Sequence, residues 1–223
     1  MSIITYKRGT DTALTANFKQ HEFDCKGHSC KCGCGCKTTP LDTKLIRKLQ
    51  VLRNWTGKPI TVNSGRRCET HNRCQGSAPG SYHVKGQAAD IVIAGMTPAQ
   101  VAKLAQEVGF VGVGRYRTFT HVDTRTVKYM WIDGKGAVST HSGKRKKCPH
   151  SYTSVEELSV GSKGTAVRAV QWILNWAGYP CKVDGDFGGK TKAAVMDFQR
   201  DMLLTADGVV GYVTRCALKE VSA

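Results

Sequence analysis

The segment SYHVKGQAADI (residues 81–91) sets His83 and Asp90 seven positions apart, with Gly86 between them leaving room for a loop. A second segment, FTHVD (residues 119–123), supplies His121 in the middle of a predicted strand. Zinc accepts imidazole nitrogen and carboxylate oxygen at about 2.0–2.2 Å, and a catalytic zinc site uses three protein ligands with a further position open. Two histidines and one aspartate are a suitable donor set, so His83, Asp90 and His121 are the candidate metal ligands. Taken singly, each has an ordinary structural explanation: a surface His83, a capping Asp90 and a core-edge His121.

Outward from this pair of segments, helices alternate with short strands. Leu41, Leu45, Leu49 and Leu52 recur at helical spacing up to Gly57 and Pro59. Residues 60–63 read as a strand. Thr97-Pro98-Ala99-Gln100 combines a capping box with proline at the first helical position, and Gly109 ends the helix it starts. Residues 88–93, 112–116, 119–123 and 127–132 read as strands, with Asp133-Gly134-Lys135-Gly136 as a hairpin turn. Short strands in mixed order with helices predict an α+β domain with a mainly antiparallel sheet.

The chain has 223 residues, 33 Lys and Arg against 17 Asp and Glu, a formal charge of +16 and ten cysteines. Its four Trp, seven Tyr and six Phe are too many for a disordered basic tail. No apolar run approaches the roughly 18 residues of a membrane helix, so membrane insertion is not expected. The first residues, MSIITYKRGTDTALT, lack an apolar core of signal-peptide length, and Sec export is not expected. The charge calls for a polyanion, and it is unevenly placed. Residues 1–150 hold 25 Lys and Arg against 9 Asp and Glu, while residues 151–223 hold 8 of each. Between them, HSGKRKKCPHSYTS has no hydrophobic periodicity and reads as a linker. The predicted organisation is a domain over 1–141, a basic linker over 142–157 and a small domain over 158–223.

The small domain contains a repeat: DGDFGGKT (184–191) and DGVVGYVT (207–214) share Asp-Gly, a Gly four residues after the Asp and a Thr seven after. Asp-Gly makes a tight turn, and the later Gly lets the backbone swing into a helix. Val167, Val170, Leu174 and Ala177 precede the first copy at helical spacing, and Ala194, Val195 and Phe198 lie between the copies. A three-helix module closed by Val213 and Leu218 is expected. With Leu158, Gly161, Gly164, Gln171, Gly178, Tyr179, Phe198 and Gln199, this run resembles the peptidoglycan-binding type-1 domain.

The first domain resembles the M15 family of zinc D-Ala-D-Ala carboxypeptidases and related phage endolysin peptidases. The likeness rests on Ser81, His83, Gly86, Ala88 and Asp90, then His121, together with the preceding SGRR (residues 64–67), and spans roughly residues 13–125. It implies a hedgehog-like zinc fold, a catalytic Zn2+ on His83, Asp90 and His121, and Arg67 as a group that helps bind substrate. Many members of the family place a carboxylate three residues before the last His ligand; here that residue is Thr118. Asp123, on the same strand face as His121, is then the candidate general base; its other reading is a structural carboxylate paired with Arg125. Tyr116 is a candidate for holding the tetrahedral intermediate, and Ser81 for binding substrate or orienting the His83 loop.

Cys25, Cys30, Cys32, Cys34 and Cys36 crowd into twelve residues. Disulfides and a second, structural Zn2+ are both open readings, with disulfides favoured because relatives act outside the cell; Cys68 with Cys74 and Cys181 with Cys216 are candidate pairs. The expected function is a zinc peptidase of endolysin type that cuts a peptidoglycan stem peptide, L-Ala-D-Glu first among the candidate bonds. It would be made in a host cytoplasm and act on the wall after release. The alternatives are a D-Ala-D-Ala carboxypeptidase that trims the wall and a non-catalytic wall-binding protein. Bacterial peptidoglycan is the expected partner, nucleic acid is not expected, and the expected state is a monomer.

Overall fold

The computed structural model describes residues 3–28, 34–133, 148–149 and 156–222. The hairpin turn at 134–136, Cys30, Cys32 and most of the basic linker lie outside the described residues. In chain order the elements are β1 (Ile3–Lys7), β2 (Ala13–Thr15), β3 (Phe18–Lys19), β4 (Thr38–Asp42), α1 (Thr43–Thr56), β5 (Ile60–Ser64), α2 (Glu69–Cys74), β6 (Ala88–Ile93), α3 (Pro98–Val108), β7 (Gly112–Arg115), β8 (Thr120–Asp123) and β9 (Tyr129–Ile132). They are followed by α4 (Thr165–Trp176), α5 (Gly189–Asp201) and α6 (Tyr212–Ser222). The fold is mixed α and β.

Asp42 caps α1, accepting from the Lys44 amide, and Gly57 ends the helix in a left-handed conformation (φ 61°). Leu41 therefore does not belong to the helix. It sits on β4 and is buried there, because the cap at Asp42 forces the preceding residue into extended backbone. Leu45, Leu49 and Leu52 do form the buried stripe. At α3, Thr97 and Gln100 form the capping box that their spacing predicts.

The central sheet has the order β5-β6-β8-β7-β9. It is not wholly antiparallel: β9 runs parallel to β7, since the chain leaves β8 and crosses to the far edge of β7. Alternation along the strands divides the two faces. Ala89, Ile91, Ile93, Val113 and Val122 enter the core beneath α1 and α3, while Asp90, His121 and Asp123 point to the opposite face. Asp90 and His121 are direct partners across the β6–β8 pair. Two metal-ligand candidates 31 residues apart are thus brought side by side by sheet register.

In the C-terminal module, one buried glutamine reads each Asp-Gly turn. The Gln171 amide donates to Asp184 Oδ1, Asp186 O and Thr191 Oγ1, while its carbonyl accepts from the Asp184 and Gly185 amides. Gln199 repeats this on Asp207, Val209, Thr214 and the Gly208 amide. The repeat is therefore glutamine-plus-turn, with each glutamine on the helix before its turn. Val210, Ala217, Leu218 and Val221 close the core; Val213, expected inside, is 58% exposed.

The module packs directly on α1. Trp55 Nε1 donates to the Trp176 carbonyl, and the two indoles meet edge to face at 5.3 Å. Asn54 Nδ2 donates to Tyr179 Oη at 2.8 Å, the Ala16 amide donates to the Asp201 carbonyl, and Arg47 pairs with Glu220. Partly buried indoles and a partly buried ion pair join the two parts of the chain across this face.

Candidate metal centre

His83, Asp90 and His121 converge on the exposed side of the sheet. His83 Nε2 lies 3.2 Å from Asp90 Oδ1 and 3.1 Å from His121 Nδ1, and Asp90 Oδ1 lies 2.9 Å from His121 Nδ1. A tetrahedral ion with bonds of about 2.0–2.1 Å holds its ligand atoms about 3.3 Å apart. The three donors are already near that spacing, and two imidazoles with one carboxylate suit zinc, so this donor set fits the ion.

Each ligand is held from behind. His83 Nδ1 donates to the Gly65 carbonyl at 2.6 Å, which leaves Nε2 as the free lone pair. The loop that carries His83 turns at Gly86 (φ +70°), where a Cβ would lie 2.1 Å from the Pro40 carbonyl. Ser81 Oγ accepts from the His83 amide, and Ser81 also borders the cavity. Arg67 Nη2 donates to Asp90 Oδ2 at 2.5 Å, while its Nε and Nη1 reach Ser64 and Ser77. Arg67, expected to help bind substrate, borders the cavity while its fork engages the Asp90 carboxylate and two hydroxyls.

Asp123, the candidate general base, forms the pair with Arg125 that was its other reading. Its carboxylate is fully buried on the side of His121 away from the other donors, 3.1 Å from His121 Nε2. Arg125 donates to both of its oxygens, from Nε at 2.8 and 3.0 Å and from Nη2 at 2.5 Å. The result is an arginine–carboxylate–imidazole relay that directs His121 Nδ1 toward the donor cluster. Burial opposes charge on Asp123, but the Arg125 and His121 hydrogen bonds bring its pKa down to about 2. A carboxylate so stabilised is a poor proton acceptor near neutrality.

The other charges follow the same logic. Burial works against ionised Asp90, yet the His121 and His83 imidazoles beside it hold it well below the usual carboxylate range. Burial lowers the His83 pKa, while for His121 the hydrogen bonds to Asp123 and Asp90 outweigh burial and raise it.

The donors open into a cavity of about 630 Å³ bordered by Arg67, Ser81, Tyr82, Tyr116, Phe119, Arg125, Tyr129 and Trp131. Tyr116 stacks on Phe119 at 4.4 Å, and its oxygen accepts from Trp131 Nε1 at 2.9 Å. Among the described residues, Asp90 is the one carboxylate bordering the cavity.

The cavity wall was largely missed from sequence. Trp131 packs against His121 at 5.0 Å because Gly114, opposite both, has no side chain; a Cβ there would lie 2.2 Å from the indole. Gly112 makes the same space for Asp123. The alternating glycines of GVG on a strand were the available signal, since in-strand glycine marks close approach of another group.

Residues 16–123 match the family Peptidase M15, and residues 163–218 match a family described as putative peptidoglycan binding domain. The first part of this chain is a peptidase M15 domain. The second is a peptidoglycan-binding type-1 domain. Zinc D-Ala-D-Ala carboxypeptidase of Streptomyces albus G is 47% identical over 68 residues, covering 28% of this chain and 26% of that protein. Peptidoglycan L,D-endopeptidase MepK of Escherichia coli K12 is 35% identical over 102 residues, covering 42% of this chain and 56% of that protein. The chain thus spans about a quarter of the first relative and just over half of the second. The solved SleB N-terminal domain is 34% identical over a match that covers 31% of this chain and 97% of its own, with a TM-score of 0.31.

Proposed function

We propose that this chain is a zinc-dependent peptidoglycan peptidase that cuts a stem-peptide amide and is held on the wall by its C-terminal module. The observation that carries the reading is the convergence of His83 Nε2, Asp90 Oδ1 and His121 Nδ1 at 2.9–3.2 Å beside an aromatic and polar cavity, in a chain that also bears a peptidoglycan-binding domain. Zinc held there would act as a Lewis acid toward the scissile carbonyl and make a water nucleophile available near neutral pH.

The chain's own residues supply the rest. The Gly65 carbonyl and the Asp123–Arg125 pair fix the two imidazoles in the tautomers that present Nε2 and Nδ1 to the ion. Arg67 neutralises Asp90 and holds it in register. Tyr116, oriented by Trp131 and Phe119, donates its hydroxyl proton to the developing oxyanion. The aromatic wall of Tyr82, Tyr129 and Trp131 packs on the Arg125 guanidinium. Tethering by the second module raises the local substrate concentration without adding a catalytic contact.

L-Ala-D-Glu is the bond we assign, in an endolysin-like enzyme made in a host cytoplasm that reaches the wall after release and acts as a monomer without nucleic acid. We further infer a hedgehog-type topology for the peptidase domain. Digestion of purified peptidoglycan with mass analysis of the products tests the assignment. New L-Ala carboxyl and D-Glu amino ends support it; release of D-Ala alone would make the protein a carboxypeptidase, and intact wall with retained binding would make it a wall-binding protein.

A further inference from the structure

A second group of donors lies apart from the His83–Asp90–His121 cluster. The sulfurs of Cys25, Cys34, Cys36 and Cys68 all lie within 4.8 Å of one another. Cys34 Sγ is 3.5 Å from Cys25, 3.2 Å from Cys36 and 2.9 Å from Cys68, too far for S–S bonds and clustered around one point. The disulfide expected between Cys68 and Cys74 does not form. Cys68 caps α2 and Cys74 ends it, so the helical rise keeps them about 9 Å apart, beyond bridging distance. Cys74 is exposed as a free thiol, and Cys181 and Cys216 are likewise free.

We propose that Cys25, Cys34, Cys36 and Cys68 form a structural zinc site that locks the loop behind the catalytic centre. Four thiolates around Zn2+ are a standard closed coordination set, with Zn–S near 2.3 Å and sulfur atoms about 3.8 Å apart. The surroundings are built for a negatively charged cluster. The Cys68 amide donates to Cys25 Sγ and the His71 amide to Cys68 Sγ, each at 3.3 Å, as backbone amides do toward metal thiolates. Gly27 packs against the site so closely that a Cβ would lie 2.8 Å from Cys34 Cβ. Two guanidinium nitrogens of Arg66 and one of Arg8 are buried without a hydrogen-bond partner among the described residues. Arg66 lies two residues before Cys68, and Arg8 donates to the Cys25 carbonyl. Zn2+ with four thiolates carries a net charge of two minus, which offsets those two cations; four neutral thiols would not.

The site has a consequence for the catalytic centre. Cys68 follows Arg67, which holds Asp90, and Gly65, whose carbonyl holds His83. Three separate segments, at Cys25, at 34–36 and at Cys68, would be tied at one ion beneath the residues that orient two of the three catalytic ligands.

The test uses the full chain purified under reducing conditions and loaded with Zn2+ or Co2+, read by metal analysis, native mass and absorption. Two metal ions per chain are expected. Co2+ should give an intense thiolate-to-metal charge-transfer band in the near ultraviolet. Removing the other site with His83→Ala and His121→Ala should lower the count from two to one and keep that band. Cys36→Ser should lose or shift it. One metal per wild-type chain with no thiolate band, or a mass showing disulfides among these four cysteines, would overturn the proposal whether or not Cys36→Ser folds. Because the readout is the sulfur-to-metal band, loss of the second site is distinguishable from failure of the peptidase reading.

Discussion

At the scale of single residues, Gly65, Arg67 and Asp123 contact the three donors from behind. His121 has two ring nitrogens, and the Asp123–Arg125 pair decides which one faces the donors. Asp123→Asn keeps the shape but removes the charge that holds this tautomer and leaves Arg125 without its counter-ion. Zinc affinity, measured by chelator competition, should fall about 10–100-fold; unchanged affinity would remove Asp123 from the relay. Tyr116 is different, because it borders the cavity and is the residue we propose to bind the oxyanion. Tyr116→Phe should lower kcat about 100-fold with little change in KM, as loss of one oxyanion donor does. A rise in KM at constant kcat would make it a binding residue. The ligands themselves were legible in sequence, since His, Gly and Asp at fixed offsets narrow the chemistry sharply. The Asp123–Arg125 pair was one of two readings of that carboxylate, whereas the contact of Arg67 with Asp90 was not read. Strand alternation tells which face a carboxylate occupies, not which imidazole nitrogen it meets or whether an arginine is already engaged.

At the scale of elements, helices marked by chemically explicit ends were readable. The α3 capping box and the Gly57 stop of α1 are examples. Sheet partners were less so, because the parallel β7–β9 pair depends on a crossover rather than on a local pattern. The Asp-Gly repeat was visible, but its cause was not: the glutamines that read each turn lie 8–13 residues away from the Asp they bind. Gln199→Ala should leave the Asp207 turn with several unmatched buried groups. We expect a loss of about 2–4 kcal/mol in urea unfolding of the full chain, given about 1–3 kcal/mol for each group left unsatisfied. A change below about 0.5 kcal/mol would mean that water replaces the glutamine.

At the scale of the whole molecule, the basic linker suggested two units on a tether, yet Trp55, Asn54 and Arg47 on α1 seat the wall-binding module against the peptidase. The charge excess belongs to the residues before 151, so the neutral module adds contact rather than charge. Trp55→Ala should uncouple the halves, and calorimetry should then resolve two unfolding transitions where the wild type shows one. A single transition at the wild-type temperature would show that the contact contributes no coupling. The central claim is that His83, Asp90 and His121 hold the zinc that performs peptide hydrolysis on the wall. The most direct measurement is amine release from purified peptidoglycan by the zinc-loaded full chain beside His83→Ala at equal folded concentration. New amino ends are expected from the wild type, lost on chelation and restored by Zn2+, and none above background from the variant; equal release by the two proteins would show that zinc at this site does not perform the hydrolysis.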